Sequence, residues 1–272
     1  PKGQGWSLVA LVILTSVGTW GLPQMVHKFF AIRDQTAVKQ ATVISTGFCL
    51  VLAGGAYFAG AFGKQILGGV VPEGGLDAVM PNVFLSEVVA MPDVLIGLIV
   101  VLVLSASIST LTSLVLASSS AIAIDLLGTL MPNMKQERQT LVMRGLCILF
   151  VIFSLVIAFG MQDTPIVTLM SFSWGSLAGA FLAPFLYGLY WKRATKPAVW
   201  SCFIFSTVFM TLNILASYLF PAFLRSPINA GAFAMLFGLV LVPLVSLFTK
   251  PPKADLIEHC FAAYEQTVSV PV

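Results

Sequence analysis

The chain has 272 residues, of which 58% are hydrophobic and 9% charged, and its formal net charge is +3. Soluble domains carry about 25% charged residues, so this composition excludes them and specifies an integral membrane protein, in keeping with a mean hydropathy of +0.98. The small net charge, without a dense basic cluster, excludes a nucleic-acid partner and leaves the lipid bilayer as the first one.

The first span is predicted over 5–25, reading GWSLVALVILTSVGTWGLPQM. Thr15, Ser16, Gly18, Thr19, Gly21 and Pro23 crowd its second half. Pro23 removes a backbone donor and obstructs the carbonyl four residues back, and the glycines weaken the helix further. Lipid tolerates such a break only where it packs on protein or lines a cavity, so a structural kink and a solute-lining segment both remain open. A polar, basic stretch follows from His27 to Gln40, and then a Gly- and Ala-rich second span over 41–62. The connection from Gly63 to Pro92 holds Glu73, Asp77 and Glu87, and a short amphipathic helix is expected near 82–90.

The third span, over 94–127, contains no charge between Asp93 and Asp125. Its 31 uncharged residues would reach about 46 Å as a straight helix, so the segment must tilt, kink or project. Within it Ser105, Ser109, Thr112, Ser113, Ser119 and Ser120 fall on roughly a 120° arc at about 100° per residue. A wall of small hydroxyls serves close helix packing or a hard-cation site, and spacing alone does not separate the two.

Further spans are predicted over 140–161, 166–190, 198–220 and 228–248, making seven, with a loosely ordered polar tail from Pro251. In domain terms, residues 1–249 are the transmembrane part and 250–272 a cytoplasmic tail. Cys49, Cys147, Cys202 and Cys260 form no CxxC pair and read as small hydrophobes, and His27 and His259 make no metal cluster. Alternate segments carry 11 lysines and arginines on one side against 3 on the other. That bias puts the crowded side in the cytoplasm, with the chain entering from outside and ending inside. The chain begins at Pro1 without a signal peptide and reads as a piece of a longer protein.

Three motifs carry a resemblance to the sodium:solute symporter family: Ser109-Thr110 with the later Ser pair and Asp125-Leu126, the stretch GTWGLPQMVHKFFA, and Pro184 through Trp191-Lys192-Arg193-Ala194-Thr195. The family resembles the leucine-transporter fold, two inverted five-helix repeats with broken first helices. The resemblance therefore implies an all-α integral membrane protein: the second inverted repeat, spans one to five, plus two appended helices. The first repeat is expected in a missing N-terminal half. By the same resemblance Na⁺, the coupling ion, is held by the carbonyl of Ala106 with Ser109 and Thr110, and Ser16, Thr19, Trp20 and Pro23 line the substrate pathway. One departure stands out. Proline and sugar symporters carry an aromatic gate four residues before the position of Pro23, and here that place is Thr19. Trp20 points about 100° away from it, so the site is either roomier there or closed by an aromatic elsewhere such as Trp20 or Trp174.

The implied function is sodium-coupled symport of a small polar organic solute across the cell membrane by alternating access. The alternative is a transporter-like sensor domain of a signalling protein. An enzyme would need convergent acids, His or Cys, and a channel a continuous polar pore or charged ring; the spans offer none of these.

Overall fold

The computed structural model describes residues 4–22, 25, 32, 35–87, 89–131, 134–162 and 164–265. Every regular element among them is helical, as a chain in hydrocarbon requires, because its backbone groups must bond within their own segment. Among the described residues six helices are long and apolar enough to cross a membrane, and a shorter apolar helical stretch covers Gly5–Gly21. The chain is a multi-pass, all-α membrane protein. It divides into two compact units, 1–35 with 166–272, and 36–165.

In the first unit α1 (Gln4–Ser16) gives way to a 3₁₀ turn (Gly18–Gly21). The helices α6 (Ile166–Tyr190), α7 (Lys196–Leu215) and α8 (Pro227–Phe248) pack together in the same unit. Missing side chains set their approach. A β-carbon on Gly175 would stand 2.6 Å from Gly231 Cα, and one on Gly179 would collide with Ser206 Oγ. Small residues bring helix backbones into contact where apolar side chains gain nothing by leaving lipid. Into this seam the Ser206 hydroxyl donates to the Ser176 carbonyl at 3.0 Å. Leu14 of α1 is fully buried against Ala178, Leu182 and Met235.

Both α6 and α8 contain a proline, Pro184 and Pro243. Pro243 cannot donate to the carbonyl of Leu239 four residues earlier. The Tyr187 hydroxyl donates to that carbonyl instead, at 2.8 Å.

In the second unit, α2 (Gln35–Ile66) is followed by a loop with Gly68, Gly69, Gly74 and Gly75 at positive φ and a 3₁₀ turn (Leu76–Ala78). The short helix α3 (Val79–Phe84) comes earlier than the expected 82–90. Pro81 is accommodated in its first turn, where backbone donors lack helical partners anyway. Ala90 at φ 44° is left-handed and falls outside any helix. The segment from Asp93 begins as α4 (Asp93–Ser120), loosens into a π-turn (Ala121–Leu126) and continues over Leu127–Leu130. It pairs with α5 (Gln136–Gly160). Gln139 Nε2 donates to the Ala123 carbonyl at 3.0 Å, filling an acceptor inside the wider turn.

Over its described residues the tail departs from the expectation of a loosely ordered segment, and 266–272 lie outside those residues. Ala254–Glu265 forms a helix, α9. Leu256, Ile257, Cys260 and Phe261 repeat at helical spacing, which gives the tail an apolar stripe.

Candidate functional site

Two constellations emerge from the sequence, and each lies within one unit. In the second, helical geometry stacks Ala106, Ser109 and Thr110 on adjoining turns of α4. Thr110 Oγ1 donates to the Ala106 carbonyl at 2.9 Å, so both oxygens of that pair stand on one side of the helix. Ser109 lies beside them, exposed, and its hydroxyl makes no hydrogen bond among the described residues. The set is three neutral oxygens without a carboxylate, a donor type that suits a hard monovalent cation.

Around this pair four hydroxyls of the wall are satisfied locally. Thr112 donates to the Ile108 carbonyl at 2.8 Å, Ser113 to Thr110 at 2.8 Å and Ser120 to Ala117 at 2.9 Å. Ser119 alone of the wall is buried, with its bond to Val115 at 2.7 Å. From Ser105 to Ser113 every residue is exposed. In a bilayer such a polar stripe belongs against protein or a water-filled cavity rather than lipid.

The other constellation is the broken end of α1. Ser16 is the last residue of α1, and its carbonyl accepts from Thr19 Oγ1 at 2.9 Å. Gly18, Gly21 and Leu22 are buried, whereas Ser16 and Trp20 are exposed and Thr19 is half-buried. A β-carbon on Gly21 would stand 2.8 Å from Leu182 Cβ, so the glycine side is pressed onto α6. The turn thereby fixes Ser16, Thr19 and Trp20 on the side away from that contact. Pro23 lies outside the described residues. Trp174, the other candidate aromatic, is half-buried against the Leu14, Ala178, Leu182 and Met235 cluster.

The third motif, Trp191-Lys192-Arg193-Ala194-Thr195, forms the α6–α7 loop and is anchored to the end of α8. Thr195 Oγ1 and Thr249 Oγ1 share a hydrogen bond of 2.6 Å, and the Thr195 amide donates to Ser246 Oγ at 3.3 Å. A family model described as "Sodium:solute symporter family" matches residues 4–204, which takes in all three motifs. The chain belongs to the sodium:solute symporter family.

Curated relatives agree. The chain is 26% identical to the high-affinity proline transporter PutP of Bacillus subtilis (strain 168), over 98% of this chain and 55% of that protein. It is 28% identical to the sodium/pantothenate symporter of Escherichia coli (strain K12), over 74% of this chain and 42% of that one. A sodium/proline symporter of Haemophilus influenzae is 26% identical over 90% of this chain and 49% of its own length. The chain thus spans about half the length of the curated relatives it matches. No solved structure matches.

Two features of this family member were not visible in its sequence. Gln139 was hidden because its partner, the Ala123 carbonyl, becomes available only within the π-turn. Tyr187 reads as one more apolar residue until α8 brings the Leu239 carbonyl to it. The only sequence signal for the latter is Pro243, which frees that carbonyl.

Proposed function

We propose that this chain is the C-terminal half of a sodium-coupled symporter for a small polar organic solute, completed by a first repeat that supplies the other half of the ion and solute sites. One observation carries the reading. In a segment matched by the family model, α4 presents the unengaged Ser109 hydroxyl beside the Thr110–Ala106 oxygen pair on a fully exposed polar stripe.

In this account Na⁺ is a transported ion, bound by Ser109, Thr110 and the Ala106 carbonyl on one side and by the missing repeat on the other. Binding bridges the two repeats and favours the state that accepts solute. The outward-turned Ser16, Thr19 and Trp20, with Pro23, line the solute pathway, and alternating access releases both cargoes inward. One charge crossing about 100 mV releases about 2.3 kcal/mol, and a tenfold Na⁺ gradient adds about 1.4 kcal/mol. Together these support roughly 500-fold accumulation of a neutral solute per ion. Spans one to five form the second inverted repeat of a leucine-transporter-like fold, with α7 and α8 appended. The Lys192 loop and the tail face the cytoplasm, and Glu73 faces outside.

The test is uptake by the complete transporter in sealed vesicles, with proline, pantothenate and other small amino acids and carboxylates as candidates. Accumulation driven by an imposed Na⁺ gradient, and abolished when K⁺ replaces Na⁺, is the expected result. Equal uptake with and without the Na⁺ gradient would overturn the reading.

A further inference from the structure

We infer that one end of the first unit, formed by the α6–α7 loop, the C-terminus of α8 and the tail helix α9, is a binding surface for anionic phospholipid headgroups. Sequence separates its parts, and the fold gathers them. The loop contributes Lys192 and Arg193, α7 opens with Lys196, and the α8–α9 connection contributes Lys250 and Lys253. The Thr195–Thr249 hydroxyl bond of 2.6 Å and the Arg193 Nη2 bond to the Leu247 carbonyl at 3.4 Å hold loop and helix end together. Lys192 Nζ stands 5.5 Å from the centre of the Phe261 ring, which ties α9 to the same place.

All five cations are exposed. Among the described residues Arg193, Lys196, Lys250 and Lys253 meet no carboxylate, although α9 carries Asp255, Glu258 and Glu265 in its sequence. The end therefore sets five lysines and arginines against three carboxylates, a net positive charge. By contrast, the α7–α8 loop holds a single base, Arg225, whose Nε donates to the Phe220 carbonyl at 3.1 Å.

The level of this surface is set by aromatic residues. Tyr190 closes α6, Phe248 closes α8 and Trp200 lies one turn into α7, all three exposed. Tyr and Trp collect where a membrane meets water, which puts the cations just beyond them at headgroup depth. On α9 the side chains of Ile257 and Phe261 are half-buried, while Leu256 and Cys260 are exposed beside them. α9 itself carries no Lys or Arg, so its exposed apolar groups combine with the basic residues of the adjoining loop and connection, an arrangement that fits the boundary between headgroups and acyl chains. Positive charge on one side of a membrane protein also directs insertion. Insertion requires only that the charges be present, whereas this fold converges them around an apolar-striped helix. The proposal does not depend on the ion or solute that the protein carries.

The experiment uses the complete protein purified in detergent and supplied with phosphatidylglycerol or phosphatidylcholine, scored by native mass spectrometry and by hydrogen exchange of α9. Phosphatidylglycerol should be retained preferentially and should slow exchange over Ala254–Glu265, with phosphatidylcholine doing neither. Lys250→Gln with Lys253→Gln should lower apparent affinity roughly 25-fold, at about fivefold for each cation near a lipid surface. Lys64→Gln, in the other unit, should leave it unchanged. Equal retention of both lipids, or retention of phosphatidylglycerol unaltered in the double variant, would overturn the proposal. Slowing of α9 by inorganic phosphate alone would assign the site to a free anion and overturn it as well.

Discussion

Tyr187 completes the backbone of the helix opposite: its hydroxyl donates at 2.8 Å to the Leu239 carbonyl, the acceptor that Pro243 leaves without a helical donor. Two residues on different helices thus form one device. Tyr187→Phe should cost about 0.6 kcal/mol and at most about 1.7 kcal/mol, the range for hydrogen bonds between helices in membranes. In a Pro243→Ala background the new amide takes the Leu239 carbonyl, and the cost of Tyr187→Phe should shrink toward zero. A double-mutant cycle on thermal stability in detergent checks this, and purely additive effects would refute the pairing.

Packing should outweigh hydrogen bonding at the α6–α7 seam. Gly179 has no space for a β-carbon beside Ser206, whereas the Ser206 hydroxyl makes bonds of 3.0 and 3.4 Å to Ser176 and Gly175. Overpacking costs about 1–3 kcal/mol, against about 0.6 kcal/mol for the bond. Gly179→Val is therefore expected to lower the unfolding temperature more than Ser206→Ala does. The reverse order would mean that the hydroxyl, not the close approach, holds these helices.

At the proposed ion site, Ser109→Ala and Thr110→Ala should raise the Na⁺ concentration for half-maximal uptake by about tenfold, as expected if each removes about 1.4 kcal/mol of ion binding. Ser107→Ala and Ser118→Ala, on other faces of α4, should change it little. Na⁺-titrated uptake by the complete transporter provides the measurement. Small and equal effects at all four positions would return the wall of hydroxyls to a packing role.

Orientation can be read with single cysteines in a cysteine-free background. An impermeant thiol reagent added to intact cells should label a cysteine at Glu73 and spare one at Lys192. Labelling at Lys192 from outside would invert the topology inferred from the lysine and arginine bias.

Thr19→Tyr should alter solute affinity or selectivity while the Na⁺ response through Ser109 persists. The bond from Thr19 Oγ1 to the Ser16 carbonyl, 2.9 Å, is a local repair that a tyrosine cannot make, so Thr19→Ser is the control that keeps it. Uptake kinetics unchanged by Thr19→Tyr, across candidate amino acids and carboxylates, would leave this turn as a structural kink alone.

The amino-acid sequence by itself determined the membrane class and the helical state, because both follow from local quantities: apolar content, charge spacing and the need for each segment to satisfy its own backbone. It also placed Ser109 next to Thr110 and one turn from Ala106, since the helical repeat alone fixes that neighbourhood. The interruption of α1 was visible in Gly18, Gly21 and Pro23. Which side of it turns outward was not, because that depends on Gly21 meeting Leu182, some 160 residues along the chain. The same holds for Tyr187 with Leu239, for Gln139 with Ala123 and for Lys192 with Phe261. In each case a backbone group, a ring or a gap acquires its role only when another helix arrives. Tertiary structure decided those pairings because neither partner's own stretch of sequence specifies which distant group will face it.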